Sequence, residues 1–95
     1  MFRDDDKIKK ALICMCIENV LFDMGKPAYE RVIEKLNEDY NCYLPDCYEH
    51  PEYLREILKE LYGNASKVLI ESINRDLKEF IQYGSVEKFL KIINQ

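Results

Sequence analysis

Apolar residues recur every three or four positions in five segments of this chain, and the residues that interrupt helices fall between the segments. These interrupting residues are Gly25, Pro27, Pro51, Gly63 and Gly84. Such spacing is typical of amphipathic helices, because residues three or four apart lie on one helix face. Over 95 residues it predicts a single all-α domain covering residues 1–95, a compact bundle of four to five short helices.

The first helix is expected to have apolar residues on two sides. It should begin in the cluster Asp4, Asp5, Asp6, where short carboxylates can cap free N–H groups, and end at Met24 before Gly25. On a helical wheel one side carries Ile8, Leu12 and Val20, and the other carries Ala11, Cys14, Met15 and Phe22 around Glu18. A helix with two apolar sides is either central or has a partner. The stripe Ala11, Met15, Phe22 therefore predicts a surface for self-association, with a homodimer as one expectation.

The second helix is expected to have Pro27 in its first turn, where the missing N–H costs nothing. Its predicted buried stripe is Tyr29, Val32, Ile33, Leu36 and Tyr40, and its predicted solvent face is Glu30, Arg31, Glu34, Lys35 and Glu38. Like charges repeat four residues apart on that face, so we expect a solvated surface rather than ion pairs. Two pairs of carboxylates lie on predicted solvent faces: Glu34 with Glu38, and Glu56 with Glu60. We assign them no acid–base role, because nothing on such a face would raise the pKa of a carboxylate.

The remaining sequence predicts one irregular connection, residues 41–50, and three further helices. Pro51 should start the third helix, and Gly63 should end it in a left-handed conformation. Asn64 is expected to cap the fourth helix, Gly84 to end it, and Ser85 to cap the fifth. The expected stripes are Leu54, Ile57, Leu58 and Leu61, then Ala65, Val68, Leu69, Ile73, Leu77, Phe80 and Ile81, then Val86, Phe89, Leu90 and Ile93. The fourth and fifth helices are expected to pack together, since the fourth would otherwise face water.

The charge balance argues against nucleic acid as a partner. The formal net charge is -4, and phosphate binding needs a concentrated positive surface. Lys7, Lys9 and Lys10 lie close together, but the acidic cluster at residues 4–6 cancels most of their field. The longest apolar run, residues 11–17, is far too short to span a bilayer, and the N-terminus lacks the pattern of a signal peptide. We therefore expect a cytoplasmic protein that does not enter membranes.

Four cysteines, followed by the only histidine, are the residues most able to carry chemistry: Cys14, Cys16, Cys42, Cys47 and His50. Cys14 and Cys16 project about 200° apart on a helix, so only one of them can join a zinc site. The spacing matches no common zinc module, and we expect no metal and no cofactor, with Cys14 and Cys16 in the core and Cys42 and Cys47 in a loop. A Cys42–Cys47 disulfide remains an alternative, as does a thiolate–imidazolium pair of Cys47 and His50. The sequence displays no orienting group or oxyanion donor for that pair, so it assigns no catalytic residue.

Tyrosines concentrate around the connection, at Tyr40, Tyr43, Tyr48 and Tyr53. Tyrosine is enriched at protein interfaces because it combines a large ring with one polar atom. The alternative is that these rings cap the end of the bundle beneath the connection. His50 is expected to pack on a neighbouring tyrosine or to point outward.

The stretch from His50 to Ser66, HPEYLREILKELYGNAS, resembles a group of small archaeal helical modules called output domains, first described in ammonia-oxidising archaea. In those modules a proline-started helix ends in an aromatic–glycine step and leads into a long amphipathic helix, and the likeness extends loosely from the first helix through Leu77. Tyr62 stands where phenylalanine is expected, and the cysteines are no part of the pattern. The resemblance implies a non-catalytic module that acts through protein contact.

The sequence as a whole favours an interaction or signalling-output module whose partner is another protein or a second copy. A transcription-associated helical domain, using the second and third helices, is the alternative, and a basic patch in three dimensions would favour it. A small thiol-dependent enzyme is the third reading, and it requires a pocket that joins Cys47 and His50 to a further polar group.

Overall fold

The computed structural model describes residues 2–95, and side chains from residue 7 onward. The chain forms five α-helices: α1 (Phe2–Met24), α2 (Lys26–Tyr40), α3 (Pro51–Tyr62), α4 (Ser66–Leu77) and α5 (Gly84–Ile93). None of the described residues lies in a strand, and the radius of gyration, 12.5 Å, is that of a compact chain of this length. The prediction of an all-α bundle is confirmed.

Glycine and proline set most of the helix boundaries as expected. Gly25, with φ of 122°, follows the end of α1, and Pro27 and Pro51 lie in the first turns of α2 and α3. Gly63 follows α3 with φ of 55° and ψ of -126°, so its positive φ is confirmed while its ψ differs from that of a left-handed helix. Asn41 ends α2 in a left-handed conformation, with φ of 53° and ψ of 41°. A non-glycine residue adopts this conformation most readily when it is asparagine or aspartate.

The expected start of α1 is wrong. The helix already includes residues 2–6, so the acidic cluster at residues 4–6 lies inside it rather than ahead of it, and those side chains lie outside the described part. Acidic residues near a helix N-terminus interact favourably with the helix dipole. Acidic residues within the first turns of a helix are therefore as favourable as acidic residues at its first position, and the cluster does not fix where α1 begins.

The predicted caps of α4 and α5 are also wrong. Asn64 lies inside a 3-10 turn, Gly63–Ala65, and α4 starts after Ala65 without a side-chain cap. After Leu77 the chain enters a second 3-10 turn, Lys78–Phe80, so α4 ends well before Gly84. Gly84 is instead the first residue of α5, and the Ser85 hydroxyl is buried inside that helix without a hydrogen-bond partner.

The core draws on all five helices and on a 3-10 turn, Leu44–Tyr48, within the connection. The side chains that are at most 1% exposed are Ile13, Ile17, Leu21, Val32, Leu36, Cys47, Leu54, Ile57, Leu58, Ile73, Leu77, Val86, Phe89 and Ile93. α1 lies against α2, α4 and the 3-10 turn, whereas α5 lies chiefly against α3 and to a lesser extent against α4. The predicted α5 stripe is confirmed, and its principal partner is α3 rather than α4.

Two predicted stripes need correction. On α1 the buried face is Ile13, Cys16, Ile17, Val20 and Leu21, and only Val20 belongs to either of the two sides drawn from the wheel. Of the stripe predicted for the fourth helix, Ala65, Val68 and Ile81 are exposed, and Ala65 and Ile81 lie outside α4. Ile70 of α4, absent from the predicted stripe, is buried. In both helices apolar residues cover more of the circumference than their neighbours can bury. The wheel alone therefore does not identify the buried side.

Lys35 forms ion pairs, although the sequence predicts that it lies on a solvated face without them. Its ammonium lies 2.9 Å from the Asp39 carboxylate and forms a second ion pair with Glu60 of α3. The hydrogen bonds to Glu60 and Asp39 raise the pKa of Lys35. A lysine on the α2 surface thus joins α2 to α3.

Candidate functional site

A row of exposed apolar side chains runs along the outside of α1. Ile8, Met15 and Phe22 follow one another at intervals of seven residues and are 65%, 58% and 48% exposed. Seven residues make about two helical turns, so the three side chains lie in line over about 21 Å. Ala11 lies in the same row and is also exposed. We call these four residues the outer row of α1.

The outer row continues onto α2 through an aromatic pair. The rings of Phe22 and Tyr29 stack with their centroids 4.3 Å apart and their planes within 17°. The Tyr29 hydroxyl donates a hydrogen bond of 3.4 Å to the Glu18 carboxylate. Partial burial, and then the negative charge of Glu18, raise the pKa of Tyr29, so this hydroxyl keeps its proton at neutral pH.

Beyond Tyr29 the surface of α2 is a shallow depression with an acidic margin. The depression has a volume of about 430 Å³, and its residues are Tyr29, Glu30, Ile33, Glu34, Asn37 and Glu38. Glu34 forms an exposed pair with Arg31, at 3.7 Å. The carboxylates of Glu30 and Glu38 have no ion pair among the described side chains. The apolar surface of α1 and α2 is thus bordered by carboxylates that face solvent.

The four cysteines are free thiols, and the contacts of His50 among the described side chains are with Glu52 and Tyr53 rather than with a cysteine. Cys16 is buried, and burial followed by the charge of Asp76 raises its pKa to about 12. Cys47 lies in the connection, as predicted, but it is 1% exposed, and burial followed by neighbouring Cys14 and Cys42 raises its pKa to about 12. Both groups are therefore protonated at neutral pH, and a protonated thiol is a weak nucleophile.

His50 is held by other partners than a cysteine. Its Nδ1 atom lies 3.1 Å from the Glu52 carboxylate, and its ring stacks on Tyr53 at a centroid distance of 4.6 Å. This confirms the prediction that the histidine packs on a neighbouring tyrosine. Burial raises the pKa of Glu52, but the bond from its own backbone N–H and the neighbouring His50 outweigh it and lower that pKa overall.

The tyrosines around the connection divide into two groups. Tyr40 and Tyr53 stack with centroids 4.2 Å apart, and together with Tyr48 they are half-buried against the core. These three therefore cap the end of the bundle. Tyr43 alone of the four is largely exposed, at 67%.

The other grooves among the described residues are lined by charged side chains of both signs. The largest, about 760 Å³, lies between α4 and α5 and mixes cations with carboxylates: Arg75, Lys78 and Lys91 with Glu71 and Glu87. Glu56 and Glu60 are exposed and are paired with Arg55 and Lys35, respectively. Among the side chains from residue 7 onward, no three His, Cys, Asp or Glu groups are arranged to hold a metal ion.

Comparison with protein-family models, with curated proteins and with solved structures found no match to this chain. Within residues 2–95, no helix has both the length and the apolar character needed to cross a membrane.

Most residues of the outer row are predictable from the sequence, but the sequence-based assignment placed Ile8 on the wrong side of α1. Ala11, Met15 and Phe22 were expected on one side of α1, and the structure leaves all three exposed. Ile8 was expected on the opposite side, yet it lies in the same row, and its spacing of seven from Met15 is the signal for that placement. The stack with Tyr29 had no sequence signal, because it depends on the turn at Gly25.

Proposed function

We propose that this protein is a non-catalytic protein-interaction module that binds its partner through the outer row of α1. The observation that carries the proposal is the alignment of Ile8, Met15 and Phe22, three large apolar side chains that each leave about half or more of their surface in water. Exposed apolar patches of this kind mark interaction sites, because covering them on binding removes apolar surface from water. The resemblance of residues 50–66 to output modules implies the same class of function.

The chemistry of the remaining candidates adds support. Cys47 is buried and protonated, and His50 contacts Glu52 and Tyr53, so neither is placed to act as a nucleophile or its base. The transcription-associated alternative requires a basic patch on α2 and α3, whereas the described depression on α2 is lined by Glu30, Glu34 and Glu38. The proposal assumes a reducing compartment such as the cytoplasm, the location that the sequence predicts.

Site-specific photo-crosslinking tests the proposal. A photoreactive amino acid replaces Met15 in one variant and Val68 in the control, because Val68 is an equally exposed apolar residue, at 64%, on α4. The proposal expects a discrete crosslinked species, with another protein or with a second copy, from position 15 and none from position 68. Equal labelling at both positions, or none at either in cells that express the protein, would contradict it.

A further inference from the structure

Resting on the proposed function, we infer that the partner of the outer row is a basic amphipathic helix of about four turns, rather than a second copy of this chain. The shape, length and charge of the receiving surface each match such a helix.

The shape of the surface favours a helix. The outer row is a straight line of side chains on α1, and the Phe22–Tyr29 stack joins it to the depression that runs along α2. Two neighbouring helices present ridges with a groove between them, and a third helix packs into such a groove. The apolar side chains of the row extend over about 21 Å, which a partner helix matches with about 14 residues.

The charge of the surface selects a basic partner. Glu30, Glu34 and Glu38 follow one another at intervals of four residues along α2, so they form one line beside Tyr29 and Ile33. Glu18 and Asp23 add two carboxylates on the α1 side. The cations of this region include Lys7 and Lys26, near the two ends of the row, and Arg31, which lies 3.7 Å from Glu34. Arg75 of α4 lines a depression beside Met15, together with the carboxylates of Asp76 and Glu79. Lysine and arginine at the flanks of a partner helix would lie against the carboxylates.

The same charges disfavour a homodimer through this face. A second copy would bring its own glutamate line and its own net charge of -4 to the interface. Like charges brought together across an interface are unfavourable, and this effect suppresses the wrong partner. The apolar residues on two sides of α1 led us to expect a homodimer. A second copy of the chain is nevertheless less favoured than a basic helix as the partner of the outer row.

Binding of synthetic peptides to the full chain tests this inference. The probe is a fluorescent peptide of about 16 residues with Leu at helical spacing and Lys elsewhere. Two control peptides are a scrambled Leu/Lys sequence of the same composition and the helical sequence with Glu replacing Lys. The protein variants are Met15→Ser and Glu30→Gln, each paired with a matched change on α4, namely Val68→Ser and Glu71→Gln. Circular dichroism establishes that every variant remains folded.

We expect the helical Leu/Lys peptide to bind, and the scrambled and Glu peptides to bind at least about tenfold more weakly. Met15→Ser should weaken binding about tenfold and Glu30→Gln about twofold to threefold, with no change in the two α4 variants. Binding should also weaken as salt rises above about 0.1 M. Backbone amide shifts in the spectrum of the complex should concentrate on α1 and α2.

The opposite results are equally informative. Equal binding of the scrambled peptide, or equal loss in the α4 variants, would overturn the inference, because nonspecific attraction to an acidic protein would then suffice. A dimer in sedimentation that Met15→Ser dissociates would overturn it in favour of a second copy, while leaving the proposed function intact. If the helical peptide does not bind but position 15 still gives a discrete crosslink, only the inference of a basic helix is rejected. Failure of both the peptide and the crosslink would reject the proposed function as well.

Discussion

The side-chain amides of Asn74 and Asn94 hold each other by two reciprocal hydrogen bonds, of 2.9 and 2.8 Å. The pair joins α4 to the end of α5, and the Asn94 amide also donates to the Leu90 carbonyl within the last turn. α5 lies chiefly against α3, so this pair is the principal polar link between α5 and α4 among the described side chains. Its contribution to stability is measurable because either partner can be removed alone.

A double-mutant cycle on Asn74→Ala and Asn94→Ala should give a coupling energy of about 1 kcal/mol. Each single change removes both reciprocal bonds, and Asn94→Ala also removes the bond to Leu90. The double variant should therefore be hardly less stable than Asn94→Ala alone. Thermal or urea unfolding measures the three free energies. Asn19→Ala, an exposed change on α1, serves as the control and should leave the stability unaltered. Strict additivity of the two changes would mean that the amide pair does not form in solution.

Gly63 should tolerate a side chain poorly although space is available for one. A Cβ at this position would meet nothing within 4 Å, so the cost arises only from the backbone, whose φ of +55° and ψ of -126° disfavour residues with a Cβ. Gly63→Val should lower the free energy of unfolding by about 1–3 kcal/mol, and the melting temperature by about 4–8 °C for each kcal/mol.

Gly84→Ala is the control for that change. Gly84 does not have a positive φ, and its Cβ would also meet open space. Alanine at the start of α5 should therefore leave the melting temperature unchanged or raise it slightly. If Gly63→Val and Gly84→Ala behave alike, the boundary between α3 and α4 is misplaced.

Phe22→Glu should leave the protein folded, whereas Leu21→Glu should unfold it. The two residues are neighbours on α1, but Phe22 is 48% exposed and Leu21 only 1%. A carboxylate at position 21 would be buried without a partner, and one at position 22 would remain in water. Far-ultraviolet circular dichroism of the two variants distinguishes the cases, and loss of helix in Phe22→Glu would contradict the exposed row.

The buried thiols should react slowly, and they should make the free energy of unfolding fall as the pH rises through the alkaline range. Burial raises the pKa of Cys16 and Cys47 from 9.0 to about 12. The pKa of each thiol is higher in the folded than in the unfolded protein. The stabilising contribution of the protonated thiols is therefore fully present below about pH 9 and is lost as the pH rises toward 12. Cys47→Ala should therefore show a smaller fall in stability between those pH values than the parent protein.

Thiol titration provides a second measurement of the same feature. A disulfide reagent at pH 8 should label Cys16 and Cys47 only after denaturant is added, while the half-buried Cys42 reacts in the native state. Mass spectrometry of peptides identifies the labelled positions. Rapid native labelling of Cys47 would show that the 3-10 turn opens readily.

The helices were predictable because glycine and proline act locally, through φ and a missing donor, whatever the rest of the chain does. Gly25, Pro27 and Pro51 therefore gave correct boundaries. The caps Asn64 and Ser85 failed because a short polar side chain only favours a helix start, and packing of the neighbouring apolar residues decides its position.

The burial of Cys47 shows a different limit. Leu44 and Cys47 are both buried and lie three residues apart, a spacing that places them on one side of a 3-10 turn. Two apolar residues at one interval of three do not distinguish a 3-10 turn from an irregular connection, so the sequence does not predict this burial. The exposed outer row, by contrast, was foreseen in part, because α1 carries more apolar residues than the other helices can bury.

The place of α5 in the core has a consequence for how the protein is made. Its ten residues supply Val86, Phe89, Leu90 and Ile93, all of them buried, and they pack chiefly against α3. A ribosome adds about 5–20 residues per second, so α1 to α4 wait on the order of a second for this cover. During that interval the growing chain exposes apolar surface that the finished protein hides. Chaperone contact during synthesis should accordingly end when residues 84–93 emerge from the ribosome.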